Sequence, residues 1–288
     1  MNKDHVNELI NKALAIEGTE AKEAGTLGYM ARILVQATIP HSNPHKSVFE
    51  RTNGNLSLAI VGHPKVGVPY GIYPRLLLAW LVTEAVRTKT PSLILGGSLS
   101  QFMESLGLIP TGGRWGTIKR LRDQMDRLFS ASISCFYSNK NSSGGVGFNI
   151  AHEYNLWWSP NIPNQTSLWQ STVTLGKDFF DEIVDRPIPV DMRALKILKS
   201  SSMALDLYCW LTYRLSYLRR KTQIPWLLLQ NQFGANYANT KQGRYEFKRK
   251  LLTQLRKVVT VYEGASKVNE NDNGLILVPS NSHIRKLE

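Results

Sequence analysis

The segment GGRWGTIKRLRDQMDRLF, Gly112 to Phe129, recurs in altered form as QGRYEFKRKLLTQLRKVV, Gln242 to Val259, each position shifted by 130 with no gap. The same offset aligns Leu77 with Leu207, Trp80 with Trp210, Leu81 with Leu211, Leu99 with Leu229, Gly113 with Gly243 and Arg114 with Arg244. It also aligns Leu121 with Leu251, Gln124 with Gln254, Asn139 with Asn269, Asn141 with Asn271 and Gly144 with Gly274. Chance would give roughly four or five identities over such a span. Because the matches are spread over several elements, a duplicated supersecondary unit is the economical reading. Two unrelated helical domains of similar basic composition are the alternative.

Each copy reads as helix, short strand, helix, turn, helix and hairpin, the order of a winged helix-turn-helix. In the first, helices are predicted from about Pro74 to Arg87, Ser98 to Leu106 and Gly113 to Phe129, with the apolar stretch Leu93 to Leu95 between the first two. SASISCFY and VGFNIAHEY flank the loop NKNSSGG as a strand, turn and strand. In the second, helices are predicted over Ser202 to Leu218, Leu227 to Phe233 and Gly243 to Val259, with Ile224 to Trp226 connecting. VVTVYEG, the loop NENDNG and LILVP complete a hairpin, and two further helices, Lys177 to Val184 and Asp191 to Lys199, precede the copy.

Before the repeat, residues 3 to 39 read as helical, with Val6, Leu9, Ile10, Ala13 and Ile16 and then Met30, Ile33, Leu34 and Val35 as apolar positions. In FERTNGNLSLAIVG, Asn53-Gly54 stands between two strand-like runs, the signal of a type I′ hairpin. The expected fold is therefore α+β, two tandem winged helix-turn-helix domains with an N-terminal helical and hairpin extension. The expected boundaries are 1–66 for the extension, 67–160 for the first domain and 170–288 for the second.

The 288 residues carry 35 Lys and Arg against 22 Asp and Glu, a net charge of +13. From Arg214 to Lys257 there are eleven cations and one acid, Glu246, so the excess is a patch. Such a patch favours a polyanion, nucleic acid or an anionic membrane surface. No apolar window of about 18 residues appears and the N-terminus lacks the layout of a signal peptide, which implies a cytoplasmic protein. Cys135 and Cys209 stand far apart and read as buried apolar residues, not as a disulfide.

At about 100° per residue, Trp115, Ile118, Leu121, Met125 and Leu128 share one face of the first long helix, and Tyr245, Leu251, Leu255 and Val258 the same face of the second. Lys248 intrudes opposite Ile118, so it must snorkel or lie beyond the core's edge. The other face carries Lys119, Arg120 and Arg127 in one copy and Arg249, Lys250 and Lys257 in the other, cation for cation. A helix in the major groove gains from such a face, whereas a solvated helix usually mixes signs. Arg114 and Arg244, at the expected helix starts, are candidates for reading guanine edges. Lys140 and Lys267, at or beside the two hairpin loops, are candidate phosphate contacts, and Lys241 is a further candidate DNA-binding residue. The first helix also carries Asp123 and Asp126 where the second has Thr253 and Arg256, so the C-terminal copy should grip DNA harder.

Catalytic readings find little support. There is no GxxxxGK[ST], so Gly96-Gly97, Gly112-Gly113 and Gly144-Gly145 read as turns. Asp178, Asp181, Glu182 and Asp185 alternate with Phe179, Phe180, Ile183 and Val184 as an amphipathic helix does, and His41 and His45 lie in a Pro-interrupted segment unsuited to a metal pair. Neither a cofactor nor a metal is expected, and the chain reads as non-enzymatic.

The stretch Gly67 to Phe129, with PYG-x2-PR-x-LL-x-WL and LGL-x2-TGGRWG, resembles the RepA-type plasmid replication initiators of Gram-negative bacteria, with a weaker likeness over most of the chain. That resemblance implies two winged-helix domains and an origin-binding protein that recognises directly repeated sites (iterons) in double-stranded DNA. It further implies melting of an adjacent AT-rich segment and recruitment of host replication proteins, an initiator and a helicase. Members often dimerise through a zipper-like N-terminus; here the apolar positions from Val6 to Ile16 span at most two heptads, which leaves a homodimer open. A tandem winged-helix transcriptional repressor, of its own gene among others, and a nucleic-acid enzyme such as a primase or nuclease are the alternative readings.

Overall fold

The computed structural model describes residues 16, 20–159, 162–165, 170–234 and 236–284. The chain divides into two compact units, one formed by Met1–Thr38 with Ile188–Glu288 and the other by Ile39–Pro187. The expected N-terminal region, 1–66, therefore contributes to both.

The helix read over residues 3 to 39 is only partly present. Its first apolar positions, Val6 to Ala13, lie outside the described residues. Further on, a turn with Gly25 at φ +64° leads into strand β1 (Leu27–Ala31), and a helix, α1, spans only Arg32–Gln36. Met30 and Ala31 are buried as strand residues, an apolar run that periodicity alone cannot assign.

In the unit Ile39–Pro187, β2 (Val48–Asn53) and β3 (Leu56–Val61) form the expected hairpin. Asn53 pairs with Leu56, so the two loop residues are Gly54 and Asn55, and of these only Gly54 has positive φ, +60°. That is the pattern of a type II′ turn, which needs glycine at its first central position, and not of type I′.

Next, α2 (Ile72–Thr88) is apolar on nearly every side and runs through the core, Leu76, Leu77, Ala79, Leu81, Val82 and Ala85 all being buried. β4 (Ser92–Ile94), α3 (Leu99–Ser105) with its Ser98 cap, and α4 (Thr117–Phe129) follow. β5 (Ser132–Ser138) and β6 (Ser143–Asn149) make the next hairpin, and VGFNIAHEY breaks at Ile150 into β6 and β7 (Ala151–Asn155). β8 (Thr172–Leu175), for which the sequence analysis names no element, and α5 (Lys177–Asp185) complete the unit.

The pairing here departs from the expected wing. β5 and β6 extend the first hairpin into an antiparallel sheet of order β2-β3-β5-β6, whereas β4 pairs with β8, which pairs with β7. Leu58, Ile60, Ile133 and Cys135 form the inner face of the four-stranded sheet, and Phe148 stacks on Phe179 of α5 at 5.6 Å.

The other unit begins with β9 (Pro187–Asp191), which pairs with β1, and α6 (Met192–Leu198), capped by Asp191. Its central helix is α7 (Ser202–Ser216), buried on most sides and capped by Ser201. β10 (Thr222–Pro225), α8 (Trp226–Phe233) and α9 (Lys241–Val259) come next. VVTVYEG is not a strand: α9 runs to Val259, and a turn with a short 3-10 segment, Glu263–Lys267, leads to β11 (Asn269–Asn271) and β12 (Gly274–Leu277). The sheet order is β10-β12-β11, so the short strand between the first two helices pairs with the terminal hairpin. α1 is tied to this unit by Thr38 Oγ1, which donates to the Gln232 carbonyl at 3.2 Å, and by Gln36 Nε2, which donates to Tyr213 Oη at 3.2 Å.

The repeat has structural counterparts. Leu77 and Leu207, Leu81 and Leu211, Leu99 and Leu229, and Leu121 and Leu251 are all buried in their own units, as are Gln124 and Gln254. Both cysteines are buried and neither is in a disulfide.

Candidate nucleic-acid interface

α9 starts where the Thr240 side chain accepts a hydrogen bond from the Gly243 N–H at 3.1 Å. A side chain at Gly243 would collide with the Ala238 carbonyl, so the turn before the helix can pass this close only at glycine. Phe247, Leu251, Gln254, Leu255 and Val258 face the core. At about 100° per residue, Arg249 and Arg256 fall at the middle of the opposite face with Tyr245, and Lys250 and Lys257 lie to one side.

All four cations are exposed, as are Lys241 and Arg244 in the first turn, where Arg244 Nη1 donates to Asn239 Oδ1 at 2.9 Å. Glu246, the acid of this helix, accepts from Gln242 Nε2 at 2.7 Å. Lys248 does snorkel: it is half-buried, its ammonium lying 4.8 Å from the Trp226 ring centroid and 3.4 Å from Glu270. Arg219, Arg220 and Lys221, exposed just before β10, extend the basic surface. Lys267 is exposed at the end of the 3-10 segment that precedes β11.

The corresponding helix α4 is built differently. It begins at Thr117, six positions after the counterpart of Lys241, because Thr111 to Gly116 form a turn. Arg114 is thus outside the helix, its guanidinium 5.1 Å above the Trp115 ring. Lys119 and Arg120 are exposed as expected. Arg127 is not: with 16% of its side chain accessible, it pairs with Asp123 at 2.9 Å, lies 5.2 Å from the Tyr70 ring and donates to the Val68 carbonyl at 3.4 Å. It holds the 67–70 segment, so its sequence equivalence to Lys257 does not extend to its surroundings. Asp126 is half-buried, and burial raises its carboxyl pKa against the lowering effect of Arg122. Lys140 is exposed at the tip of β5–β6, in a turn where Asn139 Oδ1 accepts from the N–H groups of Asn141 and Ser142.

Two further residues depart from the sequence reading. Trp115 and Tyr245, both assigned to the buried faces, are 75% and 62% exposed. Arg256, whose counterpart is Asp126, is not among the contacts expected from the sequence, although its spacing of seven from Arg249 is the signal that places them on one stripe. Among the described residues there is no group of side chains suited to a metal, and no helix long and apolar enough to cross a membrane.

Residues 68–226, more than half of the chain, match the model of the plasmid-encoded RepA protein family. The chain belongs to the RepA family. Among solved structures, the crystal structure of RctB domains 2-3 (RctB-155-483) is similar, with a TM-score of 0.51 at 15% identity, over 85% of this chain and 94% of that one. A crystal structure of the selenomethionine derivatives of domain 2 and domain 3 of RctB gives 0.54 at 14% identity, over 87% and 98%. At such identities the likeness is one of fold. No curated protein matches the chain. The RepA match closes at Trp226, so in this RepA-family chain α9 lies outside the matched span and its basic character rests on its own residues.

Proposed function

We propose that this RepA-family chain initiates plasmid replication in the cytoplasm by binding repeated origin sites through sequence-specific contacts to double-stranded DNA. The observation that carries the proposal is α9: Lys241, Arg244, Arg249, Lys250, Arg256 and Lys257 are exposed on one helix whose acid, Glu246, is held by Gln242. The order α7, β10, α8, α9, β11, β12, with β10 bonded to β12, supports a winged helix with α9 as its recognition helix. Arg244 reads a base edge near the helix start, while Lys250, Lys257 and Lys267 neutralise phosphates. Lys119, Arg120 and Lys140 give the unit Ile39–Pro187 a smaller cationic surface, which a partner subunit or host initiator and helicase can share.

Nuclease footprinting on the DNA flanking its own gene tests the proposal. Protected direct repeats are expected. A lone inverted repeat over a promoter would instead make the protein a repressor, and a covalent change in labelled DNA incubated with metal and nucleotides would make it an enzyme.

A further inference from the structure

The segment 109–117 is a rigidly built loop that presents one large aromatic ring. Thr111 and Thr117 clasp its two ends: the Thr111 N–H donates to Thr117 Oγ1 and the Thr117 N–H to Thr111 Oγ1, both at 2.9 Å. Thr117 Oγ1 in turn donates to the Ile109 carbonyl at 2.6 Å. Gly113 has φ +83°, and a side chain at Gly116 would collide with the carbonyls of Thr111 and Gly112, so the loop is closed on its own backbone. At the apex, the Trp115 carbonyl accepts from the Arg120 guanidinium, Nε at 3.0 Å and Nη2 as well.

Trp115 itself is 75% exposed, as is Ile109, six residues before it, at 74%, and yet the Trp115 carbonyl is held by the Arg120 guanidinium. The Arg114 guanidinium lies over one face of the ring, 5.1 Å from the centroid. With three quarters of the residue accessible, the ring is open to a ligand, and the charged residues nearest it in sequence are Arg114, Lys119 and Arg120, with no acid between Gly107 and Arg122.

We propose that Trp115 is a stacking platform for an unpaired nucleobase, so that the unit Ile39–Pro187 holds single-stranded DNA. Cations that track a phosphate backbone, joined to an aromatic face on which a base can lie, are the means by which single strands are gripped without sequence preference. The occupied face decides between single strand and duplex. A residue inserted into a base step needs two open faces, one for each separated base. Trp115, backed by Arg114, offers one, which suits a guanidinium, indole and base stack. This reading rests on the proposed function only in supposing that the partner is DNA, since the residues involved are not those of α9.

Full-length protein would be titrated into a fluorescently labelled oligothymidine of about fifteen nucleotides, and separately into the footprinted duplex. Trp115→Ala should weaken oligothymidine binding roughly five- to a hundredfold. Trp115→Phe should restore most of it, and duplex affinity should stay within about twofold of the parent. Abasic nucleotides throughout the strand should weaken the parent by a similar factor and Trp115→Ala little further. Equal losses on both DNAs would place Trp115 in a duplex interface, and no loss on the single strand would make it a bare surface residue; either overturns the proposal. Absence of duplex binding with single-strand binding still dependent on Trp115 would overturn the proposed function instead.

Discussion

Arg75 brings a charge into the interior of the unit Ile39–Pro187, 3% exposed, with its guanidinium donating to the carbonyls of Ile39 at 2.7 Å, Pro40 at 3.1 Å and Gly71 at 2.6 Å. Removing the donor strands carbonyls that cannot reach water. Arg75→Met should therefore lower the unfolding free energy by about 2–4 kcal/mol in urea titrations. His283 is a second polar site, half-buried. The Asp191 N–H donates to Tyr208 Oη at 2.9 Å, and Tyr208 Oη and His283 Nδ1 are hydrogen-bonded at 2.7 Å. Burial lowers the His283 pKa to about 4, with Asp191 opposing the shift and Arg193 adding to it. Because the folded value is below the ordinary one, this contribution to stability is full above about pH 6.5 and is lost as the pH falls towards 4, on the order of 3 kcal/mol. His283→Phe should flatten that part of the stability profile; an unchanged profile in pH-dependent melts would show that another group governs it.

At the scale of elements, α9 invites a division of labour that salt can resolve. Arg244→Ala should cost about 1–3 kcal/mol and relax preference at one base pair. Lys257→Ala should weaken every sequence alike and reduce the slope of log affinity against log salt by about one. Equal losses on specific and random duplexes for both variants would reverse these roles. Much of this was legible beforehand, since α2, α7, α4 and α9 announce themselves by apolar spacing and glycine or hydroxyl boundaries. The misreadings have specific physical causes. A helical wheel gives an angle but not the height at which the core ends, so Trp115 and Tyr245 were placed inside although both lie beyond it. Arg127 was placed outside because its local angle is outward, and only the distant Val68 and Tyr70 show why it turns in. The partner of β4 was illegible for a related reason: Leu93 to Leu95 reads as a strand, but nothing local selects β8 over the β5–β6 hairpin.

At the scale of the whole molecule, RepA family membership comes from residues 68–226, whereas the most basic helix follows them. Affinity for duplex DNA should accordingly fall most when the cations of α9 are removed. Lys119→Ala with Arg120→Ala should cost less than Arg249→Ala with Arg256→Ala in the same filter-binding series. The units also have a consequence for how the chain is made. β1 pairs with β9, and Gln36 of α1 and Thr38 just after it are bonded to residues of α7 and α8, so one unit is composed of the first and last parts of the chain while the other lies between them in sequence. During synthesis, Ile39–Pro187 leaves the ribosome complete, whereas the first 38 residues must wait, unpartnered, for a C-terminal half still being translated. A message truncated anywhere between β9 and β12 yields one finished unit and two orphaned tails, which makes the nascent product a natural target for chaperones and proteases until the last codons are read.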